Sequence, residues 1–264
     1  MLGREAVELF ASWGYQVISA SKDELNITDG KMVSEFCKKH HFDYVLHCAS
    51  YTKVDDAESN RDLAFLVNEI GTRNIAAAAS VKDVPIIYIS TDYVFDGLKG
   101  NTYSPDDKTS ALNVYGESKL AGENVVKEVA AKYYITRTSW LYGKHGKNFV
   151  DTMIALSKSQ KSLKVVNDQF GCPTYTADLV FGIKQLIEEK KPFGTYHLCN
   201  SGVTTWCDFA KKIFEILKIN IEVIAVSTSE FPRPAKRPKF SAMNNGGLLR
   251  NWEEALREYL KLQP

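Results

Sequence analysis

The sequence has little that would point to a metal centre or a disulfide framework. Its 264 residues include 5 cysteines, an odd number with no C-x-x-C pair, and 5 scattered histidines. Such a set predicts neither a structural metal site nor paired cysteines, so no metal ligand is predicted. We expect Cys48 and Cys199, which lie within apolar runs, to be small buried core residues.

The sequence also lacks an excess of one charge and a long apolar segment. Lys and Arg number 33 against 32 Asp and Glu, a net charge of +1, so nothing drives binding to nucleic acid or to an anionic membrane. No apolar run approaches the roughly 18–20 residues that a membrane span needs. The first residues, MLGREAVELF, lack a secretory cleavage pattern. We therefore expect a cytoplasmic protein with neither nucleic acid nor membrane as a partner.

Short apolar runs alternate with helix-period segments over the first two thirds of the chain. This spacing is typical of βαβ crossovers and predicts an α/β fold, a Rossmann-type doubly wound parallel sheet. We expect a dinucleotide-binding domain over residues 1–160. Residues 161–264 should form mainly a smaller C-terminal substrate lobe, with segments that return to the first domain. The stretch FPRPAKRPK at 231–239 should be a loop, because proline lacks the N–H donor that helix interiors and central strands need.

The individual elements follow from the same pattern. Helices are predicted over residues 2–13, 31–39, 63–80, 115–131, 148–159, 177–190, 206–217 and 252–260. Strands are predicted over residues 15–20, 44–49, 86–90, 134–138, 163–166, 195–198 and 221–226.

The most informative motif is YGESK, at the predicted start of a helix. Tyr115 and Lys119 are four residues apart, so they share one helical face. A cation about 4–6 Å from a phenol stabilises tyrosinate and lowers the pKa of the phenol from about 10. We therefore expect Tyr115 to exchange a proton with a carbonyl or alcohol oxygen. Taken alone the spacing is a weak signal, and an exposed helical pair is the alternative.

Two predicted strand ends supply further candidates. The run IIYISTD places Ser90, Thr91 and Asp92 at the carboxyl end of a strand, where open α/β sheets bind ligands. A hydroxyl there can share a substrate oxygen with the phenol, whereas a simple strand-end turn is the alternative. The run YVLHCASYT also ends in small residues, which lets a flat cofactor approach the backbone. His47 within this run is expected to be a hydrogen-bonded core residue rather than a catalytic one.

Seven stretches along nearly the whole chain carry a family resemblance. They are STDYVFDG (90–97), YGESKLAGE (115–123), RTSWLYG (137–143), NFVDTM (148–153), DQFGCPTYTADL (168–179), GTYHLCNSGVTTWCDFA (194–210) and RPKFS (237–241). Together they resemble the dTDP-4-dehydrorhamnose reductases of the extended short-chain dehydrogenase/reductase class. The resemblance implies NADPH or NADH as hydride donor and reduction of the 4-keto group of dTDP-4-dehydro-L-rhamnose to dTDP-L-rhamnose, for cell-surface polysaccharides. The resemblance leaves open whether the protein forms a homodimer and whether it uses Mg²⁺. The sequence itself shows no cluster of carboxylates that would argue for the metal.

The resemblance also implies roles for individual residues. Tyr115 matches the proton donor, Lys119 the residue that lowers its pKa and holds the nicotinamide ribose, and Thr91 a hydroxyl that polarises the ketone. The matching cofactor contacts are Gly3, Asn26, Ile27, Ser50, Tyr51 and Thr52, together with Tyr115 and Lys119. The matching substrate contacts are Thr91, Asp92, Trp140, Arg233, Arg237 and Lys239. Of these, the three cations would bind the diphosphate, and a core tryptophan is the alternative for Trp140.

Two features depart from the family pattern. The family begins with a strand and a turn of the type T-G-A-x-G-x-L-G, of which only Leu2 and Gly3 are present. We expect the absent strand to lie centrally, between 15–20 and 86–90. A segment upstream of Met1 should supply it, because losing a central strand could exceed the roughly 5–15 kcal/mol by which a domain is stable. Ser21 and Lys22 replace the acidic residue that would select NADH, which favours NADPH; a solvated loop is the alternative.

Two other functions remain open at this point. One is a catalytically silent regulatory subunit resembling the β subunit of methionine adenosyltransferase, against which Thr91 argues because such relatives tend to carry serine there. The other is a reductase of a different nucleotide-linked keto-sugar. Turnover distinguishes the first alternative, and a comparison of substrates distinguishes the second.

Overall fold

The computed structural model describes residues 1–262, and most of its elements match the predicted alternation. The helices are α1 (Leu2–Ser12), α2 (Gly30–Lys39), α3 (Val54–Ala57), α4 (Arg61–Phe65), α5 (Thr72–Val81), α6 (Val114–Val129), α7 (Phe149–Ser157), α8 (Thr176–Glu188), α9 (Trp206–Leu217) and α10 (Trp252–Lys261). The strands are β1 (Val45–His47), β2 (Ile86–Thr91), β3 (Tyr133–Thr138), β4 (Leu141–Tyr142), β5 (Ser162–Val166), β6 (Phe170–Gly171), β7 (Thr174–Tyr175), β8 (Gly194–His197), β9 (Thr204–Thr205) and β10 (Glu222–Val226). A π-helical turn, Leu66–Gly71, joins α4 to α5, and 3₁₀ turns cover Asp92–Val94 and Thr228–Glu230. Within residues 1–262, no helix combines the length and the apolar character that crossing a membrane requires.

Four parallel strands form the central sheet in the order β1-β2-β3-β8. Successive side chains of β2 face opposite sides of the sheet. Ile87 packs with α1 and α8, whereas Ile86 and Tyr88 pack with α2, α5 and α6. Because helices cover both faces, the sheet is doubly wound and Rossmann-type, as the sequence predicts.

The predicted strand at 15–20 is wrong. The residues after Tyr15 are solvent-exposed, including Val17 at 37% and Ile18 at 41%. Within residues 1–262, the backbone groups of 16–20 make no hydrogen bond to other backbone groups. An apolar run becomes a strand only where a neighbour offers a ladder of donors and acceptors. This run has no such neighbour among the described residues.

The expected position of an absent strand directly beside 86–90 is also wrong. β1 pairs with one edge of β2, from Val45 opposite Ile86 to His47 opposite Tyr88. β3 occupies the other edge of β2. Both edges of β2 are therefore filled, so no further strand can pair directly with 86–90. A strand upstream of Met1 stays a prediction.

The C-terminal part of the chain adds three small pairs of strands to this framework. β5 pairs with β10 and β4 with β7 in parallel, and β6 pairs with β9 antiparallel. The strands predicted at 163–166, 195–198 and 221–226 are present as β5, β8 and β10. A second core, which includes Phe209, Trp252 and Tyr259, lies among these elements. The stretch 231–239 forms neither helix nor strand, as predicted, and a domain boundary near residue 160 stays a prediction.

Candidate active site

The start of α6 is fixed against the carboxyl end of β2. The side chain of Asn113 caps the helix by accepting a hydrogen bond of 2.8 Å from the N–H of Gly116, and its amide donates to the carbonyl of Lys236. A Cβ on Gly116 would lie 2.2 Å from the carbonyl oxygen of Tyr93, so only glycine allows this approach. The first turn of α6, which carries Tyr115, is thereby held beside the end of β2.

A chain of buried hydroxyl and carboxyl groups begins beside Tyr115, which is itself partly buried. Its phenol lies beside the Thr91 side chain, whose interaction with it favours the ionised phenol. The Thr91 hydroxyl donates to Oδ1 of Asp92 at 3.0 Å, and the Ser241 hydroxyl donates to Oδ2 of Asp92 at 2.5 Å. Burial raises the pKa of Asp92 to about 6, although both hydrogen bonds favour its ionised form. The structure thus brings together Tyr115, Thr91 and Asp92, as the sequence predicts.

The expected acidification of Tyr115 by Lys119 is wrong. Burial raises the pKa of Tyr115 to about 12, and the interaction with Thr91 offsets only part of that rise. The Lys119 amine instead donates to the carbonyl of Ile89 at 2.7 Å and lies 4.1 Å from the centroid of the Tyr88 ring. Burial lowers the pKa of Lys119 to about 7. Desolvation therefore affects the pKa of Tyr115 more than the nearby Lys119 does. As a result Tyr115 is a protonated phenol at neutral pH.

Ser90, which precedes Thr91 at the end of β2, does not face the phenol. Its hydroxyl donates to Glu123 at 2.6 Å. Glu123 also accepts two hydrogen bonds from Arg137, at 2.9 and 2.8 Å, and both side chains are buried. This buried pair fastens α6 to β3. His47 is a core residue as expected: it is hydrogen-bonded to Thr72 at 3.1 Å, and burial lowers its pKa to about 3.

The residues that follow β1 are held by an asparagine that sequence reasoning missed. Asn68, in the π-helical turn, accepts hydrogen bonds at 2.9 Å from the Ser50 hydroxyl and at 2.8 Å from the N–H of Tyr51. Its amide donates at 2.9 Å to Ser118 on α6, one residue before Lys119. Asn68 therefore joins the candidate cofactor segment to the helix of the candidate catalytic pair. No local pattern marks Asn68, because other polar residues, such as Glu69, lie in the same stretch.

The other cofactor candidates lie in three places: at the start of α1, after β1 and before α2. Gly3 lies in the first turn of α1, whose start has no side-chain cap, and a Cβ there would lie 3.6 Å from Cys48. Thr52 is exposed and follows the segment that Asn68 holds. Ile27 is buried in the core against Gly71, which leaves the exposed Asn26 as the side chain available to a ligand on that side.

The predicted substrate cations are not grouped. Arg237 forms an ion pair with Asp55 and donates to it at 3.0 Å through its second nitrogen. This guanidinium lowers the pKa of the Asp55 carboxyl. Arg233 and Lys239 are exposed. A diphosphate would therefore have to compete with Asp55 for Arg237, whereas the other two cations are accessible.

Trp140 follows β3 with a left-handed backbone, φ +48°, which is strained for a bulky residue by about 1–3 kcal/mol. Its indole stacks on that of Trp206, with ring centroids 3.6 Å apart and planes 10° apart. Trp140 is half-buried. Sequence reasoning missed Trp206, because 66 positions separate it from Trp140 and no local pattern links the two.

No group of three or more His, Cys, Asp or Glu side chains is placed to hold a metal ion among the described residues. All five cysteines are free thiols. Cys172, Cys199 and Cys207 are buried, whereas Cys37 and Cys48 are partly exposed. Cys199 is thus the small core residue that the sequence predicts, whereas the same prediction is wrong for Cys48, which is only partly buried.

A doubly wound parallel sheet with a Tyr-x-x-x-Lys helix beside the end of β2 defines the short-chain dehydrogenase/reductase class. Comparison with known proteins narrows this assignment. Residues 1–263 match the family model described as RmlD substrate binding domain, and the chain belongs to this family, which comprises the dTDP-4-dehydrorhamnose reductases and their relatives.

Three similar proteins illustrate the extent of the match. The spore coat polysaccharide biosynthesis protein SpsK of Bacillus subtilis is 36% identical, over 98% of this chain and 93% of SpsK. A dTDP-4-dehydrorhamnose reductase of Streptomyces griseus is 40% identical, over 98% of this chain and 89% of the relative. The crystal structure of a Bacillus anthracis dTDP-4-dehydrorhamnose reductase in complex with NADP is 43% identical, with a TM-score of 0.95 over 98% of this chain and 95% of that one.

Proposed function

We propose that this protein is an NADPH-dependent reductase that converts dTDP-4-dehydro-L-rhamnose to dTDP-L-rhamnose. The observation that carries the proposal is the partly buried phenol of Tyr115, which lies beside Thr91 at the carboxyl end of a central strand. It occurs in a chain that is similar over nearly its whole length to proteins named as reductases of this substrate. Such a strand end is where open α/β sheets bind their ligands.

The residues present fit a dinucleotide. The start of α1 has no side-chain cap, so its N–H groups can bind a phosphate, and Gly3 leaves the first turn unobstructed. Ser50 and Tyr51, which Asn68 holds, would line the nicotinamide side. Lys22 is exposed and suits a 2′-phosphate. When bound, NADPH supplies the hydride that adds to C4 of the keto-sugar.

Tyr115 then donates its phenolic proton to the oxygen on C4, so that the ketone becomes a secondary alcohol. The phenol is protonated at neutral pH because burial raises the pKa of Tyr115 to about 12. Thr91 donates to Asp92 in this structure, so it must turn its hydroxyl toward the substrate oxygen to polarise it. Lys119 would hold the ribose of the nicotinamide after leaving the carbonyl of Ile89.

The test is NADPH oxidation by the purified protein with dTDP-4-dehydro-L-rhamnose. Tyr115→Phe should lower kcat by about 10²-fold or more, since it removes the proton donor. Tyr133→Phe, at the start of β3, removes a phenolic hydroxyl elsewhere and should leave kcat unchanged. Circular dichroism and thermal melting should show that both variants fold. No turnover by the unaltered protein, or full turnover by Tyr115→Phe, would refute the proposal and favour a regulatory subunit.

A second candidate substrate is another nucleotide-linked keto-sugar. The similarity to SpsK, a protein named for spore coat polysaccharide biosynthesis, favours keeping this candidate. A panel of dTDP- and UDP-linked 4-keto-sugars, compared by kcat/KM, distinguishes the two. A preference for dTDP-4-dehydro-L-rhamnose of less than about tenfold would favour the second candidate.

We also propose that the protein works in the cytoplasm, a reducing compartment. Its five cysteines are free thiols, which suits such a compartment. A homodimer and the use of Mg²⁺ stay predictions from the family resemblance.

A further inference from the structure

The indole of Trp140 is enclosed on two sides by residues distant in sequence. Trp206 stacks face to face on it, with centroids 3.6 Å apart. Gly171 lies against it elsewhere, because a Cβ at this position would come within 2.5 Å of indole Cε2 and 2.8 Å of indole Nε1. The indole therefore has room only where residue 171 carries no side chain.

The backbone conformation at position 171 does not require glycine. Gly171 does not have a positive φ, and it lies in β6, paired with Thr204 of β9. An alanine could adopt this backbone without strain. Space for the Trp140 indole is thus the reason that the position excludes a side chain.

The backbone of Trp140 is fixed as firmly as its ring. Its carbonyl accepts a hydrogen bond of 3.3 Å from the N–H of Thr174, and the preceding Ser139 hydroxyl donates to the carbonyl of Cys172 at 2.6 Å. These contacts hold the residue in its left-handed conformation, φ +48°. A strained residue held by several independent contacts is typical of a functional site.

Trp206 is held in turn by its own neighbours. It is the first residue of α9, which Thr205 caps by accepting a hydrogen bond of 3.1 Å from Asp208. The ring of Phe149, at the start of α7, packs on it with centroids 4.7 Å apart. The stack therefore rests on two helix N-termini rather than on mobile side chains.

Strand β6 is also hydrogen-bonded to the segment that contacts Asp92. Phe170, next to Gly171, donates to the carbonyl of Lys239 at 2.8 Å and accepts from the N–H of Ser241 at 2.8 Å. The Ser241 side chain in turn donates to Asp92. β6 thus connects the tryptophan pair to the hydrogen-bond chain of Thr91 and Asp92 beside Tyr115.

We infer that Trp206 and Gly171 are positioning residues that fix the Trp140 indole in the place where it contacts the nucleotide-linked substrate. The inference rests on the proposed function and on the family resemblance, which implies that Trp140 is a substrate contact. A preorganised ring saves the cost of ordering a tryptophan at binding.

The first test needs no ligand. Two stacked indoles give an exciton couplet in the far-ultraviolet circular dichroism spectrum. Trp206→Phe and Trp140→Phe should each abolish the couplet, which assigns it to this pair. Gly171→Ala should weaken or abolish it by displacing the indole, although both tryptophans remain. A couplet of unaltered size in Gly171→Ala would refute the role of Gly171.

A second test separates positioning from folding. In the Trp140→Phe background the smaller ring leaves room beside residue 171, so Gly171→Ala should lower Tm less there than in the unaltered protein. Equal losses of Tm in the two backgrounds would mean that the methyl group clashes with something else. Such an outcome would overturn the inference for Gly171.

A third test measures binding of dTDP-L-rhamnose and of dTDP by calorimetry. Trp206→Leu should weaken dTDP-L-rhamnose by about tenfold, the ratio expected for a lost aromatic contact, and leave dTDP within about twofold. Trp206→Phe, which keeps a stacking ring, should recover most of the affinity. Unchanged affinity for dTDP-L-rhamnose in Trp206→Leu would refute the positioning role. No binding of either compound by the unaltered protein would refute the proposed function instead, while the spectroscopic test would still decide whether the pair is clamped.

Discussion

Asp92 makes the stability of this protein depend on pH in a way that one substitution can isolate. Burial raises the pKa of Asp92 from 3.8 to about 6. The groups that face it are Tyr93, Tyr115 and Cys199, and burial raises the pKa of Tyr93 and Tyr115, while Cys172 and burial raise that of Cys199. All three are neutral between pH 4.5 and 7.5. The Asp92 carboxylate is thus the group in this cluster that titrates in that range.

The sign follows from proton binding in the two states. The folded protein binds the proton of Asp92 more tightly than the unfolded chain does, so the stabilisation is present below pH 3.8 and is lost as the pH rises through 6. A shift of about two pKa units corresponds to about 3 kcal/mol, of which about 2 kcal/mol falls between pH 4.5 and 7.5. Asp92→Asn removes this contribution and keeps the size of the side chain.

The assay is urea unfolding of the unaltered protein and of Asp92→Asn at several values of pH from 4.5 to 7.5. The difference between their free energies of unfolding cancels the other titrating groups. It should move in favour of the unaltered protein by about 2 kcal/mol as the pH falls. Asp23→Asn, which removes an exposed carboxylate, controls for net charge. The reasoning would be refuted if the free energies of unfolding of Asp92→Asn and the unaltered protein changed equally with pH. It would also be refuted if their difference changed with the opposite sign.

Two further predictions concern the helix that carries Tyr115. Glu123→Ala should lower the free energy of unfolding by about 3–5 kcal/mol, because it leaves buried Arg137 without its carboxylate partner. Glu117→Ala breaks an exposed pair and should lower it by less than about 1 kcal/mol. Equal losses in urea unfolding would contradict this prediction. Gly122→Ala should cost about 1–3 kcal/mol, because its Cβ would lie 2.5 Å from a backbone carbonyl of the π-helical turn. Gly3→Ala, with its nearest contact at 3.6 Å, should leave Tm unchanged or slightly raised, and a larger loss in Gly3→Ala than in Gly122→Ala would count against this account.

The local sequence pattern predicted the fold correctly where the residues of one segment are sufficient to indicate its secondary structure. The run from Ile86 is apolar on both faces, which is typical of a central parallel strand, and it forms β2. The run at 15–20 carries a similar signal but forms no strand. Its own residues cannot reveal whether a neighbouring strand is there to pair with it, so periodicity alone was insufficient.

The candidate site was predictable where function depends on residues close in sequence. Thr91 ends a strand and Tyr115 begins a helix, and both positions are readable from the chain. Ser241 reaches Asp92 across 149 positions, and Asn68 reaches Ser118 across 50. No local pattern carries such pairings, because folding alone brings these side chains together.

The error about Tyr115 has the same origin and changes the chemistry of the site. The spacing of Tyr115 and Lys119 says nothing about the dielectric around them, and burial reverses the direction in which the pKa of Tyr115 moves. A reductase needs a phenol that holds its proton until an oxygen beside it becomes negative, and a pKa of about 12 provides such a phenol at neutral pH. The reverse reaction needs a tyrosinate, which this dry setting disfavours. Burial therefore suits Tyr115 to protonating an alkoxide, which is the step that reduction of a ketone requires.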